Sequence, residues 1–144
     1  LLVMTDFGTF RLRPNSHTSG NGNPAILIVF LFIPLYIGFL ILGAIVSHKL
    51  ILQEFKERKF HLGLLVFLFI VAILLVIFEI SYIQEVFRTL GGYPDQPESA
   101  VYRFGYWNQY TNIVFFNVIT YTLGIICAII CGYVTARWKN KTIH

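Results

Sequence analysis

The chain has 144 residues, 56% of them hydrophobic and only 12% charged, and carries a formal net charge of +4. Soluble domains hold about a quarter charged residues, so this balance excludes an ordinary water-soluble fold and points to lipid as the surrounding solvent. At this length one domain is expected.

Residues 1–24 are polar and rich in turn formers, with Ser16-His17-Thr18-Ser19-Gly20-Asn21-Gly22-Asn23-Pro24 reading as a loop. Phe7, Phe10 and Leu12 fit a short strand or an interfacial segment. Leu1 to Met4 is too short for the apolar region of a signal peptide, so none is expected there. Since the first residue is leucine, the chain is expected to be processed, to use another start, or to be partial.

Pro24 precedes an apolar run from Ala25 to Ser47. Proline is tolerated in the first turn of a helix because its missing N–H would lack a partner anyway, and Asn23 can cap that turn. Pro34, inside the run, is expected to kink the span. The connection His48 to His61 is the most basic stretch, with Lys49, Lys56, Arg58 and Lys59. Glu54 and Arg58 stand at i,i+4, which suits a helical extension of the first span.

Leu62 to Phe78 carries no polar side chain, and Glu79 then appears four residues before Ile83. About 20 apolar residues at roughly 1.5 Å each match the hydrocarbon thickness of a bilayer. The helix is expected to run on to Leu90 and stop at Gly91-Gly92. After Tyr93-Pro94-Asp95-Gln96-Pro97, a turn sequence, the residues Tyr102, Phe104, Tyr106, Trp107 and Tyr110 read as an interfacial aromatic belt. A third span is expected from Asn112 to Ala136, with Trp138 at the opposite interface.

These runs make the chain all-α, an integral membrane protein with three transmembrane helices. Residues 1–24 form an outward polar segment and 25–144 the transmembrane domain, with spans at about 25–47, 62–83 (extending to 90) and 112–136. Lys49, Lys56, Arg58, Lys59, Arg137, Lys139 and Lys141 fall on one side, and Arg11, Arg13, Arg88 and Arg103 on the other. Positive residues favour the cytoplasm, so the N-terminus is expected outside and the C-terminus inside, in a multi-pass plasma membrane protein. Basic residues at a membrane surface fit anionic lipid as a partner and not nucleic acid.

Two constellations stand out. Thr120, Gly124, Ala128, Gly132 and Ala136 recur every four residues and are expected to form a groove that another helix can approach. The sharper reading is a path for ions or electrons. Glu79 and Asn117 should lie at matching depth, about 6 to 8 Å below the interface if their helices are antiparallel. Ala72 shares the face of Glu79, so the carboxyl should point into the bundle near Asn117 or Tyr121. An intramembrane carboxyl is a functional candidate by default. The plainer readings are contact with headgroup water, or a pair with Arg88 or an outside subunit. Cys127 and Cys131, one turn apart, read as buried and inert. His48 and His61 flank the basic connection, and His17 lies in the N-terminal loop. No histidine lies inside a span to hold haem, and no metal site or cofactor is expected. Phosphate-loop and nucleophile motifs are absent from the sequence.

From Pro24 onward the layout resembles the CtaM-like family, small bacterial and archaeal membrane proteins linked to haem-copper oxidase assembly. The likeness rests on Lys59-Phe60-His61 before an aliphatic span ending Ile80-Ser81-Tyr82, on Gly91-Gly92, and on a last span closing in a basic tail at His144. The family has a histidine about where Asn117 stands, and a fourth span that this sequence does not contain. What the resemblance implies is a setting, a respiratory or similar oxidase complex. The expected function is therefore a non-catalytic accessory subunit or assembly factor that docks on larger membrane subunits through helix packing. The alternative is a homo-oligomeric channel or proton conduit using Glu79. An enzyme holding a metal through His17, or through His48 and His61, is the third class.

Overall fold

The computed structural model describes residues 1–11, 22–56 and 62–143, with the side chains of 55, 56 and 141–143 excepted. His17, Arg13, Arg58, Lys59, His61, His144 and the Lys141 side chain therefore lie outside the described residues. All the regular structure described is helical: α1 (Leu2–Phe7), α2 (Ala25–Lys56), α3 (Leu62–Thr89), α4 (Asn112–Phe115) and α5 (Val118–Ile143). Three stretches are long and apolar enough to cross a membrane, Ala25–Glu54, Leu62–Thr89 and Asn112–Asn140. The chain is a multi-pass membrane protein.

Helix length explains what lies beyond the hydrocarbon. α3 has 28 residues and α2 has 32. At about 1.5 Å per residue each exceeds a ~30 Å hydrocarbon core, so both must protrude. The helix of the first span runs past Ser47 to Lys56, as the expected helical extension requires.

The stop at the end of α3 is a paired-glycine cap. Gly91 has φ +76° and Gly92 has φ +135°, conformations that side-chain-bearing residues rarely adopt. Gly92 N–H donates to Phe87 O at 2.9 Å and Gly91 N–H to Arg88 O at 3.1 Å, the two reversed bonds of a Schellman ending.

Contacts divide the chain into two units: Leu1–Ile33 with Phe78–Thr120, and Pro34–Ile77 with Tyr121–His144. In the first unit the aromatic loop folds as a cap with its own core of Phe87, Leu90, Val101, Tyr110 and Val114. The belt reading of this loop needs correction at Tyr110, which is buried. Tyr106 and Trp107 stay exposed, as a belt requires. The strand reading of the N-terminus also fails: Leu2–Phe7 is a helix. It is fixed to the cap rather than trailing from it, because Phe10 N–H donates to Gln109 O at 2.8 Å and Gly8 lies against Ala25.

In the second unit α5 meets α2 through glycines. A methyl group placed on Gly132 would stand 2.6 Å from Ala44 O and 2.8 Å from His48 N. Only hydrogen fits where two backbones come so close.

Candidate functional site

The site begins with a discontinuity. The third span was expected to be one helix from Asn112, but it breaks between α4 and α5 at Phe116 and Asn117. Phe116 has φ −126° and ψ 76°, outside the helical region. Asn117 restarts the helix. Its Oδ1 accepts from Ile119 N–H at 2.8 Å and Thr120 N–H at 2.9 Å. Its own N–H donates to Thr120 Oγ1 at 3.1 Å. This reciprocal arrangement is a capping box with threonine in the third position. Broken backbone is tolerated at membrane depth only where protein covers it, and these side chains supply the partners.

The same asparagine engages the carboxyl. Asn117 Nδ2 donates to Glu79 Oε1 at 2.9 Å and Oε2 at 3.1 Å, and also to Ile113 O at 3.0 Å. Glu79 is 9% exposed. It lies on the inward stripe of α3, in register with the half-buried Leu65, Leu68, Ala72 and Leu75. That spacing alternates three and four residues, so one face of the helix carries the acid. The carboxyl therefore sits beside the capped start of α5, the positive end of a helix dipole. Arg88 pairs with Glu85 at 2.7 Å, so the ion pair weighed between Arg88 and Glu79 is replaced by an intrahelical one.

Tyr121 has a different partner. Its ring stacks on Tyr36 with centroids 4.9 Å apart, and its carbonyl accepts from Tyr36 Oη at 3.0 Å. Tyr36 also fills the space at Gly124, where any added methyl would strike its hydroxyl. Gly43 faces Ala128, and Ala136 is fully buried. Gly124, Ala128 and Gly132 thus receive α2 of the same chain, while Thr120 is spent on the cap. The expectation that this groove is the docking face for another subunit needs correction, because the chain's own first span occupies it. An apolar cleft of about 380 Å³ stays open beside the seam, lined by Phe39, Leu42, Val46, Ile125 and Ile129 among others.

The cysteines are also corrected. Cys127 and Cys131 are both exposed. His48 Nδ1 is 3.0 Å from Thr135 Oγ1. Among the described residues, no three His, Cys, Asp or Glu side chains lie close enough to share a metal ion.

Sequence reasoning missed a second polar knot. Asn112 is fully buried, and its amide pairs with that of Asn23: Asn23 Nδ2 donates to Asn112 Oδ1 at 2.7 Å, and Asn112 Nδ2 donates back to Asn23 Oδ1 at 3.0 Å. Trp107 Nε1 donates to the same Asn112 Oδ1 at 2.7 Å. Asn23 meanwhile accepts from Ala25 N–H at 3.1 Å, the capping role expected of it. The knot ties the start of α2 to the start of α4. Each asparagine stands at the head of an apolar run, which is the only local signal it leaves.

Comparison with family models, with characterised proteins and with solved structures finds no match to this chain.

Proposed function

We propose that this chain is a non-catalytic membrane subunit or assembly factor that works by packing against a larger membrane oxidoreductase complex. One observation carries the reading. The intramembrane polar groups are bonded to one another, Glu79 to Asn117 and Tyr36 to Tyr121, while broad apolar faces stay exposed. Side chains spent in this way support a scaffold rather than a reaction centre. Outward residues such as Phe30, Leu35, Phe67 and Ile73, with the cleft beside Phe39 and Ile125, offer a partner helix its contact surface. The oxidase setting and the plasma membrane come from the family resemblance and the distribution of basic residues. Purification in mild detergent tests the reading. The proposal expects the chain to travel with a larger, redox-active membrane complex. Recovery of the chain by itself at native abundance would count against it.

A second reading is favoured by one feature. A carboxyl set against a broken span is an arrangement suited to moving protons or cations. Here the purified chain in liposomes should pass protons, and Glu79→Gln should stop it. Flux that is absent, or indifferent to that change, ends this reading.

A further inference from the structure

A cleft at the cap end sets a few polar side chains among apolar walls of Phe10, Val86, Leu90 and Ile113. It holds about 180 Å³ between α1, the last turn of α3 and α4, and its lining includes Asp6, Thr9, Arg11, Thr89, Leu90 and Tyr110. Pockets for drug-sized ligands run to about 300–1,000 Å³, so this one suits a smaller group.

Its depth follows from α3. Counted from Leu62, about 20 residues exhaust the hydrocarbon, which places Tyr82 near its edge. Val86 to Leu90 then stand roughly 6 to 12 Å beyond, at the level of lipid headgroups. α1 supports that level. Its Val3, Met4 and Phe7 are exposed, Phe7 by 86%, and they form an apolar foot beside the cleft.

The chemistry is asymmetric. Thr9 Oγ1 donates to Thr5 O at 2.7 Å and Thr89 Oγ1 to Val86 O at 2.7 Å. Each hydroxyl has spent its proton, so only acceptor capacity remains. Asp6 adds a carboxylate, an acceptor alone. Among the described residues Arg11 is the one cation of the lining, 3.5 Å from Asp6 in a loose pair whose side chains are 82% and 55% exposed, Arg11 first. Three acceptors beside one guanidinium match a ligand with several N–H donors next to an anion.

We propose that this cleft binds the headgroup of a phospholipid carrying a primary ammonium beside its phosphate. The ammonium donates to Asp6, Thr9 and Thr89, the phosphate meets Arg11, and the acyl chains run down past the apolar foot of α1. A quaternary ammonium has no N–H to offer, and an uncharged glycerol headgroup has no cation.

The test uses the full chain, delipidated in detergent, with native mass spectrometry reading bound phosphatidylethanolamine, phosphatidylcholine and phosphatidylglycerol of identical chains. Phosphatidylethanolamine should be retained about fivefold over the other two, the range an exposed charge pair supplies. Asp6→Asn should abolish that preference, Arg11→Ala should weaken all three lipids, and Arg103→Ala should change nothing. All three mutated side chains are exposed, and unchanged helix content by circular dichroism verifies the fold. Equal retention of the three lipids, a preference for phosphatidylglycerol, or a preference that survives Asp6→Asn overturns the proposal. Displacement by soluble phosphoethanolamine at matched concentration overturns its assignment to a lipid.

Discussion

Asn117 does three things with one side chain. It caps α5, satisfies Ile113 O across the break, and holds the Glu79 carboxyl group. Removing it strips a cap and leaves a buried carboxyl without that donor. A lost cap costs roughly 0.5–2 kcal/mol, and a buried group left unsatisfied about 1–3 kcal/mol. Asn117→Ala should therefore destabilise the chain by about 1.5–5 kcal/mol, read by denaturant titration in micelles. Glu79→Gln should behave differently. It keeps an oxygen for Asn117 and carries no charge into the bilayer, so the same titration should show stability held or raised. If Glu79→Gln instead unfolds the chain as readily as Asn117→Ala, the charge matters more to the pair than this account allows.

Among the helices, the seam between α2 and α5 is set by what glycine leaves out. At Gly132 a methyl would meet backbone of α2, which cannot turn aside as a side chain can. Gly132→Ala should cost about 1–3 kcal/mol by forcing the helices apart. Gly63 in α3 has nothing within 4 Å of that position. Gly63→Ala should leave stability unchanged or raise it by roughly 0.5–1 kcal/mol through helix propensity. Equal effects at the two sites in a thermal melt would mean the seam is looser than described. The contrast also marks what the sequence could tell. The three spans were legible because runs such as Leu62 to Phe78 have no other solvent than lipid. The four-residue repeat of small side chains was legible as a packing face, but not which helix it would receive. The break at Phe116 and Asn117 was hidden, since one asparagine inside an apolar run looks the same in an unbroken helix. Glu79 and Asn117 could be paired from matching depth. Asn23 and Asn112, 89 residues apart, could not be, because no local pattern joins them.

For the chain as a whole, every reading depends on the bilayer covering the faces that Phe30, Phe67, Ile73 and Val118 present. Three crossings put the cap and the last turns of α5 on opposite sides of the membrane, whichever side is which. Asp95 in the cap and Lys139 near the end of α5 mark the two positions. With Cys127 and Cys131 changed to serine, Asp95→Cys and Lys139→Cys can be probed one at a time with a membrane-impermeant maleimide. In sealed vesicles of uniform orientation, one of the two should react at once and the other only after the membrane is opened. Reaction of both from the same side would contradict three crossings and, with them, the rest of the account.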